Sequence, residues 1–257
     1  MKTLPLLLAA TALIAASACS KKAGDAPGSG STATADASAP TIKVTKPASG
    51  DWTEAVAPTG AGGYVMGNPD AKVKLIEYGS LTCPHCAEFD EKGVPALLAN
   101  YVKDGKVSWE YRNFVRDPFD LSASLVARCN GEKSVFGMIR ALYAAQPEWV
   151  AKLQAVPPAQ LEALSKLPPA QQFPAYAKLA GFAQFAAMRG IPAAKTEACL
   201  VDTKQVDRLV QMNSDAVSQY NIPGTPTFLL NGKLVEIKPG STPWQQVETA
   251  LKAALGG

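Results

Sequence analysis

The sequence predicts an α/β protein in which one mixed sheet is split by a long helical insertion. Three observations carry this. An apolar strand, Leu75-Ile76-Glu77-Tyr78, runs through a short polar turn into a helix that opens on Cys83-Pro84-His85-Cys86. Over residues 118–219 the apolar side chains keep helical spacing, interrupted by proline pairs. Strand character then returns at Thr227-Phe228-Leu229-Leu230, followed by Asn231-Gly232, a strong short hairpin signal. The order is β-α-β, helices, then β-β-α. Neither half has enough strands for a sheet of its own, so both must pair in one.

The chain has 257 residues, 18% of them charged, with a formal net charge of +3, too weak a balance to indicate nucleic acid as a partner. Its N-terminus reads as a targeting segment. Lys2 is followed by a short run of Leu, Ala and Ile over residues 4–14 and by the small residues Ala16-Ser17-Ala18. That run is too short to span a bilayer, and the pattern predicts a secretory signal peptide over 1–18, cleaved after Ala18. Export to a bacterial periplasm or cell envelope permits disulfides. Cleavage there leaves Cys19 first, which resembles a bacterial lipoprotein signal, although Ala16 stands where that motif usually has Leu. Lipidation of Cys19 is the expectation; ordinary cleavage with an incidental cysteine is the alternative. Five cysteines are odd in number, and a lipidated Cys19 leaves four for pairing. Residues 19–50 form the expected tether. It is dominated up to Thr41 by Ala, Gly, Ser, Thr and Pro, cannot bury a core, and spans roughly 25 Å as a coil.

Residues 42–63 are transitional, with Trp52 their one large anchor, packed on the surface or part of an irregular lead-in. A short edge strand is expected at Tyr64-Val65-Met66-Gly67, a turn at Asn68-Pro69-Asp70, and a central strand over 72–78. The helix from Pro84 should bend at Gly93-Val94-Pro95, and residues 107–115 alternate like a second strand. In the insertion, Leu121, Leu125, Val126 and Cys129 share helical spacing, as do Phe173, Tyr176, Leu179, Phe182 and Phe185; such an aromatic stripe is read as core. After the hairpin, Leu234-Val235-Glu236-Ile237 should pair back, and Thr242-Pro243-Trp244-Gln245 is a capping box opening a last helix that buries Val247, Leu251 and Leu255.

The chemistry gathers at Cys83-Pro84-His85-Cys86. Pro84 suits the first helical position, where its missing N–H has no partner to lose. Cys83 is then the N-cap, facing free backbone N–H groups and the positive end of the helix dipole. His85 can add a positive charge. All three favour the Cys83 thiolate, making it a nucleophile, with Cys86 deeper in the helix as the resolving thiol. A metal site is the rival, but zinc wants four ligands and His85 is the only histidine.

Together with the helical insertion and the later Gly224-Thr225-Pro226-Thr227-Phe228, this motif resembles DsbA-type thiol:disulfide oxidoreductases over roughly residues 64–255. The resemblance implies a thioredoxin-like fold with an inserted α-helical domain: a first part at 51–117, the insertion at 118–219, and a second part at 220–257. It implies that Pro226 is the cis proline opposite the active site, with Thr225 pairing to an extended substrate. It implies that Glu77 is the buried acid near the resolving cysteine, the alternative being a solvent-facing strand glutamate. It also implies a structural disulfide between Cys129 and Cys199, the alternative being two free buried thiols. The expected activity is exchange of a Cys83–Cys86 disulfide with exported proteins, as an oxidase, without a cofactor or a metal. A membrane redox partner would reoxidise it, and a monomer is expected because the tether is too short and too polar to be the dimerisation domain that isomerases of this type carry. A reductase or isomerase with the same site is the near alternative; a copper-binding protein using the two thiols is the distant one.

Overall fold

A computed structural model describes residue 42 and residues 44–256. The expected signal peptide, Cys19 and nearly all of the tether up to residue 43 lie outside the described residues. Among those described, no helix is long and apolar enough to cross a membrane.

Six strands form one sheet in the order β1-β2-β4-β3-β5-β6: β1 (Val56–Pro58), β2 (Tyr64–Met66), β3 (Val73–Gly79), β4 (Val107–Asn113), β5 (Thr227–Leu230) and β6 (Lys233–Leu234). Only β3 and β4 run parallel. Their crossover carries helices α1 (Pro84–Lys92) and α2 (Val94–Leu97) and a π-helical turn at Leu98–Val102. The expected bend falls where α1 ends, at Gly93. Helix α11 (Pro243–Leu255) closes the chain with its capping box formed in both directions. Val247 and Leu251 are buried there, while Leu255 is half-buried.

Alternation sorts the strand side chains. Val73 and Leu75 face the main core with Trp109 of β4, Phe228 of β5, Phe89 of α1 and Leu251 of α11. Ile76, Tyr78 and Leu229 face the other way, onto Ala216 and Ile222.

Between β4 and β5 lie α3 (Pro118–Arg128), α4 (Val135–Ala144), α5 (Gln146–Gln154), α6 (Pro158–Ser165), α7 (Pro169–Ala180), α8 (Phe182–Ala187), α9 (Ala193–Leu200) and α10 (Thr203–Tyr220). Prolines that break the pattern open helices here, Pro158 in α6 and Pro169 in α7, as expected where a missing N–H is harmless. Helix α3 is buried on nearly every side, from Asp120 to Arg128, and its small residues Ser122, Ala123, Ser124 and Ala127 let α7 and α9 approach closely. The aromatic stripe is core: Phe173, Tyr176 and Phe182 are buried. Cys129, which caps the C-terminus of α3, is disulfide-bonded to Cys199 of α9.

Two expectations need correction at the sheet edges. Tyr64–Met66 is not the edge strand; Val56–Pro58 pairs outside it. That segment lies within the supposed lead-in, where three residues including a proline give no readable alternation, and a proline is tolerated because an edge strand leaves one row of N–H groups unpaired. Trp52 begins a 3-10 turn (Trp52–Glu54) and is half-buried over Gly105, where a Cβ would come within 2.7 Å of the indole. The second correction concerns the return strand after Asn231-Gly232. Both residues take positive φ, as the tight turn needs, but pairing covers only Lys233–Leu234 plus one bond from Val235 N–H to Phe228 O. The chain then leaves the sheet, and Ile237 stays exposed.

Candidate active site

The register of the sheet assembles the site. Cys83 follows the C-terminal end of β3 by four residues, and β5 runs antiparallel to β3 with Tyr78 opposite Thr227. The residues just before β5 therefore arrive beside the residues just after β3. The Thr225–Pro226 peptide is cis, and the Cys83 thiol donates a hydrogen bond to Thr225 O at 3.2 Å.

Cys83 is the N-cap of α1 with Pro84 at the first helical position. Cys83 and Cys86 are free cysteines, both buried. Their environments differ in sign. The Cys83 thiol is held down to about 5, first by a hydrogen bond from the Cys86 thiol, then by Thr225 and by the backbone N–H groups of Cys86 and His85, against the opposing effect of burial. The Thr225 hydroxyl is buried with no partner, free to donate to a thiolate. Burial pushes Cys86, which is 0% exposed, well above the ordinary thiol range.

Two details differ from the expected cap. In the thiol form Cys83 makes no side-chain capping bond, because its S–H points to Thr225 O. The His85 side chain is exposed, and His85 favours the Cys83 thiolate through its backbone N–H. Pro84 is exposed beside it, while Cys83 itself is only 3% exposed.

Glu77 faces the core, not solvent. It is on the same face of β3 as Val73 and Leu75 and accepts a hydrogen bond from Trp109 Nε1 at 3.1 Å. Burial, then the nearby negative charge of Asp90, push its carboxyl well above the ordinary range. Asp90 lies one helical turn beyond Cys86 on the same face of α1; burial raises it to about 6, against the pull of Arg140 at 3.7 Å. Beside the thiols, burial thus raises the proton affinity of Glu77, which is raised further by the negative charge of Asp90.

Sequence reasoning missed Asp90, although its i+4 spacing from Cys86 was readable. It also missed a polar set contributed by the insertion. Asp120, 0% exposed, accepts from Ser80 Oγ at 2.6 Å and Leu81 N–H at 2.9 Å, and burial raises its carboxyl to about 7. Gln146 donates to Leu81 O at 2.7 Å and Cys83 O at 3.0 Å. Tyr111 and Tyr143 share a hydrogen bond at 2.8 Å, and Tyr143 reaches Ser80 O. Gly79 makes room for this, since a Cβ there would lie 2.5 Å from the Tyr111 ring. Among the described residues no group of three or more His, Cys, Asp or Glu side chains is placed to hold a metal ion.

An acidic thiol at a helix mouth, a deep partner thiol one turn on and a cis-proline loop opposite define a dithiol site of the thioredoxin class, here with a helical insertion. The family model described as Thioredoxin matches residues 59–253, and the chain belongs to that family. A solved protein-disulfide isomerase from Novosphingobium aromaticivorans is 32% identical, with 75% of this chain and 97% of that one covered and a TM-score of 0.70. Wolbachia pipientis alpha-DsbA1, 22% identical with a TM-score of 0.58 over 75% of this chain and 90% of that one, shares the fold. A Rickettsia bellii relative, named by inference as a protein-disulfide oxidoreductase, is 27% identical over 67% of this chain, but the match spans only 58% of that relative's length.

Proposed function

We propose that this protein exchanges disulfides with exported proteins, working as an oxidase through Cys83 and Cys86. The observation that carries the reading is the geometry of the two free thiols: Cys83 at the N-cap of α1, 3.2 Å from Thr225 O, with Cys86 fully buried one helical turn on, an arrangement that lowers the first thiol and raises the second.

In the oxidising direction a substrate thiolate attacks Cys83 Sγ of the Cys83–Cys86 disulfide. The S–S bond breaks and its electron pair leaves on Cys86. Cys86, disfavoured as a thiolate by its burial, takes a proton, and the neighbouring Glu77 carboxyl is the acid suited to supply it. The substrate, now bonded to Cys83, lies along the Thr225-Pro226 backbone. A second substrate thiolate then attacks the substrate sulfur and Cys83 leaves as a thiolate. Substrate has lost two electrons and the enzyme has gained them. Stability of the departing Cys83 thiolate makes it a good leaving group and stabilises the reduced enzyme, which makes a strong oxidant; DsbA itself is the established example of this logic. A membrane redox partner would reoxidise the dithiol. Export by the 1–18 signal peptide and anchoring through Cys19 belong to the same proposal; palmitate labelling lost in Cys19→Ala is its check, and recovery wholly in the soluble periplasmic fraction would oppose it.

A second reading, isomerisation or reduction at the same site, draws on the name of the Novosphingobium relative. Measuring the reduction potential separates them: a value near DsbA, about −120 mV, supports oxidation, and one near thioredoxin, about −270 mV, supports reduction. The direct test of the function is trapping with Cys86→Ala. Discrete mixed disulfides with exported proteins are expected; their absence where a positive control is trapped would refute the reading.

A further inference from the structure

The three residues before Cys83 are held by the insertion. Ser80 Oγ donates to Asp120 Oδ2 at 2.6 Å and Leu81 N–H to Asp120 Oδ1 at 2.9 Å. Thr82 Oγ1 donates to Asp117 Oδ2 at 3.0 Å. Asp117 uses its other oxygen, Oδ1, to cap α3 through the N–H groups of Phe119 and Asp120. Helix α3 is thus capped without Asp120, so capping does not explain why a carboxylate is buried there. Asp120 is 0% exposed and forms no ion pair among the described residues; its third contact is Arg116 N–H at 3.0 Å. A buried carboxylate is costly unless it is hydrogen-bonded. Here two of its three hydrogen bonds go to the turn that carries the nucleophile.

We propose that Asp120 is a positioning residue for thiol exchange: with Asp117 it fixes the turn Ser80-Leu81-Thr82 so that Cys83 Sγ stays at the mouth of α1 and against Thr225. The insertion therefore takes part in setting the nucleophile. This deepens the reading of Cys83 as the nucleophile and rests on it. The physical reason is geometric. Hydrogen bonds to sulfur weaken steeply with distance and angle, so a loosened turn moves Sγ away from the donors that favour its thiolate, namely the Cys86 thiol, Thr225 and the N–H groups of His85 and Cys86.

The test is the pH midpoint of Cys83 thiolate formation, read by ultraviolet thiolate absorbance on the reduced full chain. It is made for wild type, Asp120→Asn, Ser80→Ala and the control Phe182→Leu. Asparagine keeps the size and one acceptor oxygen but sets an amide against two donors. Its midpoint should rise by about one pH unit, with the equilibrium against glutathione moving about tenfold toward the disulfide. Ser80→Ala leaves the carboxylate in place and should shift the midpoint the same way by less. Phe182→Leu loosens the insertion core at Trp149 but removes none of the Asp117 or Asp120 hydrogen bonds to the turn, and should leave the midpoint unchanged. Wild-type midpoints in both Asp120→Asn and Ser80→Ala would overturn the proposal, as would an equal shift in Phe182→Leu. If Asp120→Asn does not fold, Ser80→Ala decides. A wild-type midpoint already in the ordinary thiol range would overturn the nucleophile reading itself, so the two failures are distinguishable.

Discussion

The chain carries two cysteine pairs within its described residues, and they stand at opposite ends of their helices. Cys83 is the N-cap of α1, where the backbone N–H groups of Cys86 and His85 favour its thiolate. Cys129 is the C-cap of α3 and Cys199 lies one residue from the end of α9, each at the carbonyl end of its helix. A helix N-terminus favours negative charge and a C-terminus opposes it. A sulfur leaves a disulfide as a thiolate, so in the proposed function the first pair is the one that exchanges and the second is a brace. Backbone polarity adds to the hydrogen bond from Cys86 in favouring the Cys83 thiolate.

The largest expected effect breaks the first pair. Cys83→Ser should abolish exchange with peptide disulfides, while Cys199→Ser should retain it, both followed by insulin reduction. Loss of exchange in Cys199→Ser would make the second pair more than a brace. Cys199→Ser should instead cost stability, about 4 kcal/mol in the chain-entropy account for a closed loop whose ends are 70 residues apart, read from denaturant unfolding.

Next in size is the acid beneath the thiols. Replacing Glu77 by Gln should slow steps in which Cys86 takes or gives a proton by about 10²-fold, a typical worth for a placed acid–base group, in single-turnover kinetics. The same variant should be more stable than wild type at high pH. A carboxyl raised by burial binds its proton more tightly folded than unfolded, so its cost is absent below the unfolded value near 4.3 and grows as pH rises. The stability gap should therefore close on acidification.

A smaller effect is the linkage at Cys83. A thiol lowered in the folded state adds stability that is fully present above the unfolded thiol value and is lost as pH falls to about 5. Reduced protein should gain on oxidised protein with rising pH, by about 3 kcal/mol at pH 7. Paired thermal melts would show it, and a gap that does not change with pH would contradict it.

Much of this was legible along the chain because it is local. A strand, a polar turn and Cys-Pro-His-Cys are contiguous, and Asn231-Gly232 signals its turn by the positive φ that both residues adopt. Thr225-Pro226 was readable only through family likeness. The rest depends on contacts between distant residues. Asp120 meets Leu81 across 39 positions and Gln146 meets it across 65, and nothing near either residue announces the partner. Within Arg116-Asp117-Pro118-Phe119-Asp120 the visible signal is a helix cap, which Asp117 satisfies, and the acid three residues on reads as ordinary first-turn charge. The edge strand Val56–Pro58 is too short to show alternation, and the return strand after Gly232 ends where the chain turns away from β5 rather than where its apolar run stops.

The central claim is that the helix mouth and Thr225 favour the Cys83 thiolate in addition to the hydrogen bond from Cys86. Alkylation of Cys83 as a function of pH, followed by mass spectrometry in reduced protein carrying Cys86→Ala and again with Cys86 present, tests it most directly. With Cys86 present the midpoint should fall near pH 5. In Cys86→Ala it should rise, since the thiol hydrogen bond is lost, yet stay below the ordinary value of about 8.5, because the backbone donors and Thr225 remain. A midpoint of about 8.5 in Cys86→Ala would contradict the account, whatever the value with Cys86 present.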